Sequence, residues 1–329
     1  MANSINWGKI YETTYWGNGV TDNTINWGKS YRDLAGDPAP FITEWQTTTS
    51  PQTITIPIQT TNTYTITTSD GQEITTSGND PQVTFPTAGT YEVSISGDIQ
   101  QISFGITPTS QDYIYDVKQW GTDTTWNAFN DAFFGCINLN VSASDVPNIT
   151  GNNLFQAFRR CDLTTFNSVN NWDISSVTSL VGIFRDSSFN KDISNWDVSS
   201  VTSFAQAFRD SSFNQDIGSW DVSSASEMQR MFQDNDAFDQ DISDWNIINV
   251  TNFGNFMLNS DGFSTNNYDA LLIGWESTLQ GTYPGGAGYL PTISTDFGNS
   301  QYTAGGTAAA ARTSLQTTFG WTIADGGSV

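Results

Sequence analysis

The amino-acid sequence predicts a mixed α and β fold in which a parallel solenoid, with turns of about 24–25 residues, follows a β-sandwich. Three observations carry this expectation. Trp172, Trp196, Trp220 and Trp245 recur at intervals of 24, 24 and 25 residues. Apolar residues recur at fixed offsets from them: Ile174, Val198, Val222 and Ile247; Val177, Val201, Ala225 and Val250; Leu180, Phe204, Met228 and Phe253; Phe184, Phe208, Phe232 and Met257. Residues 41–108, by contrast, alternate Thr, Val, Ile and Tyr between turn-forming clusters.

In chain order, residues 1–40 carry a duplication, SINWGKIY at 4–11 and TINWGKSY at 24–31. Trp7, Trp16 and Trp27, with Tyr11 and Tyr31, lie there among Gly and Asn without an amphipathic period. The segment reads as a docking peptide, because a few aromatic anchors dominate small interfaces and a doubled motif gains from effective concentration. Residues 41–108 hold TITIPIQ, TYTITTS, QVTF and GTYEVSISG, broken by SDG, GND and TAG. That is the pattern of short strands in a sandwich.

Residues 109–263 hold the array. Each repeat Trp shares a face with the residue two later, which predicts a strand. The next apolar offsets are three and four apart, which predicts a helix of two to three turns. Ser176, Ser200, Ser224 and Asn249 sit between strand and helix as N-caps, and Ser224 with Glu227 forms a capping box. Phe189, Phe213, Phe238 and Phe263 fall in the loops. AFFGC (132–136) and AFRRC (157–161) are weaker upstream copies, and Trp120 to Phe133 reads as an N-terminal cap. In residues 264–329 the runs NNYDALLIGWEST and AAAARTSLQTTFGWTI predict two helices around a Gly-rich loop, the second leading into a strand. Together they would close the end of the array.

The segments SSFNKDISNWDVSSVTSF and SSFNQDIGSWDVSSASEM resemble the repeats of BspA-like leucine-rich-repeat surface proteins. The resemblance implies a leucine-rich-repeat-type solenoid, a role in adhesion on a bacterial surface or a phage, and no shared catalytic residues. FPTAGTYEVSISG resembles a PKD or immunoglobulin-like module, and residues 1–40 resemble the N-termini of phage virion proteins.

Composition excludes several functions. Lys and Arg number 11 against 34 Asp and Glu, a formal charge of −23. Such a chain repels phosphate backbones, so nucleic acid is not an expected partner. Aromatics at 13%, with 12 Trp, are too many for a disordered acidic tail. The sequence has no His, which removes Ser-His-Asp and Cys-His activation and His-ligated zinc. Cys136 and Cys161 are too few for a disulfide framework or a four-thiolate zinc site; they read as buried thiols, with a bridge as the alternative. No apolar run is long enough to insert into a membrane as a helix, and Met1 to Ile10 lacks the features of a secretory signal.

Candidate sites arise from the repeat. Asp173, Asp197, Asp221 and Asn246 form one column and Asp192, Asp216 and Asp241 another. Like charges about 4.8 Å apart repel by roughly 0.9 kcal/mol in water. The columns therefore either bind Ca²⁺ or accept backbone N–H groups at turns, and the missing Asp-x-Asp-x-Asp-Gly pattern favours turns. Strict period places Trp172, Trp196, Trp220, Trp245, Phe184, Phe208, Phe232 and Met257 in the core rather than on a glycan platform. The aperiodic Tyr113, Tyr115, Tyr283 and Tyr289 are the aromatic candidates for ligand contact. No carboxylate pair stands out for glycoside hydrolysis, so no catalytic, cofactor or metal residue is expected. The functional expectation is a non-enzymatic virion surface protein, a head or tail fibre or decoration protein. It would attach through residues 1–40 to virion proteins or to sister copies in a homo-oligomer, and present the solenoid to a host protein or glycan. A bacterial cell-surface adhesin is the alternative, and a polysaccharide-degrading enzyme a third reading.

Overall fold

The computed structural model describes residues 38–105, 110–261, 263–289 and 291–329. Trp7, Tyr11, Trp16, Trp27 and Tyr31 lie outside them. Pro40–Val329 forms one unit.

The strands are β1 (Phe41–Thr47), β2 (Gln52–Thr55), β3 (Tyr64–Thr68), β4 (Glu73–Thr76), β5 (Gln82–Phe85), β6 (Gly89–Ser96), β7 (Ile114–Gln119), β8 (Thr125–Trp126), β9 (Asn140–Val141), β10 (Asn148–Ile149), β11 (Ser294–Asp296) and β12 (Thr322–Ala324). Alternate residues of β1 turn inward, so Phe41, Thr43, Trp45 and Thr47 are buried. β1 pairs antiparallel with β6 and with β7, inside a six-stranded sheet of order β4-β3-β6-β1-β7-β9. β7 and β9 come from beyond residue 108, and β9 pairs with β7 in parallel. The sheet therefore continues past the expected limit of the sandwich; of the strands within residues 41–108, β2 and β5 form a separate two-stranded ribbon, and β8 with β10 and β11 with β12 form two more further on.

The expected leucine-rich-repeat-type solenoid of strands and helices is overturned. Between β10 and residue 264 the described residues contain no α-helix and no extended strand. Successive units meet through single-residue parallel bridges: Asn153↔Ser179, Ser179↔Ser203, Ser203↔Glu227 and Glu227↔Asn252. The segments expected as helices are runs of turns. Their backbone explains why. Two residues four apart in each unit have φ between +52° and +78°: Asp131 and Gly135, Gln156 and Arg160, Gly182 and Asp186, Gln206 and Asp210, Arg230 and Asp234, Asn255 and Asn259. A left-handed residue every four positions cannot belong to a right-handed helix.

The N–H groups of Leu180, Gly182, Phe184 and Asp186 instead donate to Ser203, Ala205, Ala207 and Arg209 of the next unit. Between them, Ile183 and Arg185 close turns onto Leu180 and Gly182. The expected N-caps at Ser176, Ser200, Ser224 and Asn249 therefore start no helix. The Ser224–Glu227 capping box is also absent: Glu227 lies in the bridge ladder and accepts from Asn252 Nδ2 at 2.8 Å.

Among the described residues the α-helices are confined to the C-terminal part, as α1 (Thr265–Thr282) and α2 (Thr307–Thr317). Ser264 caps α1 by accepting from the Asn267 N–H. α1 buries Tyr268, Leu271, Leu272, Trp275 and Leu279 over three turns. Gly274 lets it lie close to the last repeat unit, because a Cβ there would stand 2.3 Å from the Ser243 carbonyl oxygen. After α2, β12 pairs in parallel with β11. Asp325, its side chain almost fully buried, accepts from Arg312 Nε at 2.7 Å, Arg312 Nη2 at 3.2 Å and Tyr268 Oη at 2.7 Å.

Candidate recognition surface

Trp172, Trp196, Trp220 and Trp245 are buried, and all but the first are tied to the preceding unit. The indole N–H of Trp196 donates to the Val169 carbonyl at 2.7 Å, that of Trp220 to Ile193 at 3.2 Å, and that of Trp245 to Ile217 at 3.1 Å. Each carbonyl also accepts the backbone N–H of its own unit's Trp, so both lone pairs are used. The indole N–H of Trp172, at the start of the column, has no hydrogen-bond partner.

Phe184, Phe208 and Phe232 stack at centroid spacings of 6.1 and 5.7 Å. A second ladder, Phe189, Phe213, Phe238 and Phe263, runs beside the first at 6.0–6.4 Å. Met257 ends the first ladder, and its N–H passes the backbone bonding to Asp296 in β11. These aromatics are sealed inside and offer no face to a glycan.

The outward groups repeat with the same period. Asp173 Oδ1 accepts from the N–H and hydroxyl of Ser175 at 3.1 and 2.6 Å, and Asp197 does the same with Ser199 at 3.0 and 2.6 Å. Asp221 accepts from Ser223 N–H, Asp192 from Ser194, Asp216 from Gly218 and Asp241 from Ser243. Each closes a local turn two residues on. The serine hydroxyls and then the amides hold Asp173 and Asp221 below the usual carboxylate range. Among the described residues, no three His, Cys, Asp or Glu groups converge as a metal site would need.

A further polar ladder runs Asn190, Asn214, Asp239: Asn190 Oδ1 accepts the Asn214 N–H, Asn214 Oδ1 accepts the Asp239 N–H, and Asp239 Oδ1 accepts the Ser264 N–H, each at 2.9 Å. It ends by anchoring the start of α1. Cys136 and Cys161 are free and buried, with Cys161 Sγ donating to the Phe133 carbonyl. Burial pushes both thiols up, which leaves them unreactive.

Sequence reasoning passed over one outward row. Arg159, Arg185 and Arg209 each come directly after a stacked phenylalanine, Phe158, Phe184 and Phe208, and the recurring Phe-Arg pair was the available signal. Arg159 Nε reaches Asp186 at 3.0 Å and Arg185 Nε reaches the same oxygen at 3.4 Å. Arg209 Nε stands 3.8 Å from Asp234. Burial lowers Arg185, Asp186 raises it, and the neighbouring Arg159 and Arg209 lower it further. Arg159 and Arg185 thus converge on one carboxylate oxygen, close enough to repel one another.

Of the aromatic candidates, Tyr283 and Tyr289 meet edge to face at 5.4 Å, and Tyr289 Oη accepts from Trp321 Nε1 at 3.0 Å. Tyr115 lies in β7 and Tyr113 packs against the core just before it. The structure therefore divides these four between a β-sheet and the end of α1. No helix among the described residues is long and apolar enough to cross a membrane.

No curated protein and no solved structure matches the chain. The matched family spans a little over a third of the chain and does not include residues 41–108. The repeats, with the start of α1, are thus the segment of this chain that resembles a known family: residues 152–270 match the family described as Mycoplasma protein of unknown function, DUF285, in keeping with the BspA-like character of their sequence.

Proposed function

We propose that the chain is a non-enzymatic surface protein that uses its stacked repeats for recognition, in the manner of a bacterial cell-surface adhesin. One observation carries this reading. Within each repeat the recurring aromatics turn inward, while the same polar groups recur outward at nearly constant spacing. A face held by unit-to-unit backbone bonds is rigid before it meets a partner, which lowers the entropy lost on binding. The match over residues 152–270 supports the surface reading. The titratable side chains most strongly perturbed by burial, Cys136, Cys161 and Tyr268, are packed structural groups rather than members of a reactive cluster. Trp7, Trp16 and Trp27, which suggested a virion protein, lie outside the described residues, and the family matched over residues 152–270 lends that role no support.

The reading is tested with antibodies raised against residues 152–270 and applied to intact and permeabilised cells of the source organism. Labelling of intact cells is the expected result; labelling that needs permeabilisation overturns it. Within this reading, residues 1–40 attach the chain to sister copies through the two INWGK motifs. Removing residues 2–35 should leave the melting of Pro40–Val329 unchanged and abolish self-association in sedimentation. An oligomer that survives the deletion removes the attachment role.

A further inference from the structure

Arg159, Arg160, Arg185, Arg209 and Arg230 are five of the chain's 11 basic residues, and all lie in the turn runs at 154–161, 180–187, 204–211 and 228–235. Those runs contain three carboxylates, Asp186, Asp210 and Asp234, and Asp131 of the preceding run feels Arg159. In a chain of charge −23, basic residues outnumber acidic ones within these runs, with Asp162 and Glu227 directly outside them. Its carboxylates are also committed unevenly. Asp186 is shared by Arg159 and Arg185. Asp234 accepts from Gln233 Nε2 at 2.9 Å and Asn259 Nδ2 at 2.8 Å, so Arg209 is left without a hydrogen bond to it. Arg160 and Arg230 are exposed; their backbones are bonded to the next unit, but among the described residues no hydrogen bond or ion pair holds either guanidinium group. Both also occupy left-handed positions, at φ +61° and +58°, where an unbranched cationic residue has no conformational reason to be.

Arg159, Arg185 and Arg209 share one column, each directly after a stacked phenylalanine, and Arg160 and Arg230 flank it from the two left-handed columns. Phe158, Phe184, Phe208 and Phe232 beneath it rise by 5.9, 6.1 and 5.7 Å. That rise is comparable to one sugar along an extended polysaccharide. Guanidinium groups meet carboxylate and sulfate oxygens in a planar, two-pronged geometry. Gln156 and Gln206, bonded to Arg159 and Arg185, interleave neutral amides of the kind that meet sugar hydroxyls.

We propose that this row binds an extended acidic polysaccharide, with the carboxylate or sulfate groups of successive sugars bridging neighbouring guanidinium groups. The proposal rests on the surface reading above and names the ligand class of the repeat face. It is tested by titrating the full chain with polygalacturonate, heparin and neutral dextran at low salt. At least one of the two anionic polymers should bind, dextran should not, and added salt should weaken the complex. Which polymer binds more tightly tells carboxylate from sulfate. The R160Q/R230Q variant should bind about tenfold more weakly, about 1.4 kcal/mol. K118Q/K191Q removes as many charges off the row and should stay within about twofold. R209Q serves as a second loss-of-binding variant should R160Q/R230Q melt early.

Binding to neither polymer overturns the proposal, as does equal weakening by the two double variants. Tighter binding of single-stranded DNA or an acidic peptide than of either polysaccharide overturns it too. None of these results alters antibody labelling of intact cells, so loss of the ligand assignment is distinguishable from loss of the surface assignment.

Discussion

Trp245 and Trp275 do the same job in two different backbones. Trp245 sits in a turn-built repeat and donates its indole N–H to Ile217; Trp275 sits in α1 and donates to Ile242 at 3.0 Å. The α1 helix thus continues the tryptophan column, although nothing else in it keeps to the repeat. Both segments show apolar residues three and four apart, yet one is a helix and the other is not. In α1 that spacing persists from Tyr268 to Leu279 behind an N-cap, long enough for the helix to satisfy its own backbone. In the repeats it lasts from Leu180 to Phe184 and stops at Ser187. There the backbone bonds are supplied by the unit stacked next to it. The same short-range pattern therefore yields different structures depending on where the N–H groups find acceptors.

This contrast can be broken or sharpened by experiment. The largest effect should come from the tryptophans. Trp196→Ala and Trp275→Ala should each cost about 3–5 kcal/mol in chemical denaturation. Similar losses would show that turn and helix contribute equally to one column, whereas a stable Trp196→Ala protein would refute the packing register. Next is the buried pair under α1. Arg312→Met leaves Asp325 buried and uncompensated and should cost about 3–5 kcal/mol; a neutral outcome would mean that water reaches Asp325.

Gly274→Ala tests the seating of the helix on the last repeat. Its new methyl group meets the Ser243 carbonyl, and overpacking of this kind costs about 1–3 kcal/mol. If α1 were independent of the repeats, alanine would instead stabilise it by about 1 kcal/mol. Asp210, exposed at φ +54°, gives a test by sign. In a helix, Asp210→Ala would stabilise; at a left-handed position it should destabilise by about 1–2 kcal/mol, with Asp210→Gly neutral or better. A thermal melt of the two variants decides between them.

The smallest effect concerns acid. Asp173 and Asp221 have pKa values lowered in the folded state, so their contribution to stability is complete above the unfolded value of 3.8. It fades as pH falls through the lowered native values, because the unfolded chain then binds more protons. Both groups are exposed, so the loss is small. Asp173→Asn/Asp221→Asn should flatten the acid limb of the melting profile slightly, and an unchanged limb would remove these turns from the account.

Much of this was legible from residue spacing. The period of 24–25 residues, the burial of Trp172 through Met257, the turn role of the Asp columns and the two C-terminal helices all depend on patterns local to the chain or repeated along it. Other features were hidden. β1 and β4 went unmarked because Glu44 and polar Thr residues break the apolar alternation of FITEWQT and EITT is only four residues long; both are held as strands by pairing with β6 and β3. The arginine row was hidden because each Phe-Arg pair, taken alone, is a core aromatic beside a solvated cation. Only stacking of the units brings Arg159, Arg185 and Arg209 into one column, each beside a stacked phenylalanine.

The sequence by itself determined which side chains are inside, because burial of a periodic apolar set results from composition and spacing alone. Tertiary structure decided how the backbone passes between them. An amide of Gly182 or Asp186 can donate within its own turn or to the unit 23 residues further on, and short-range spacing does not distinguish the two. Only the stacked neighbour, by bringing the carbonyls of Ala205 and Arg209 to 2.9 Å, turned a helical period into a run of turns.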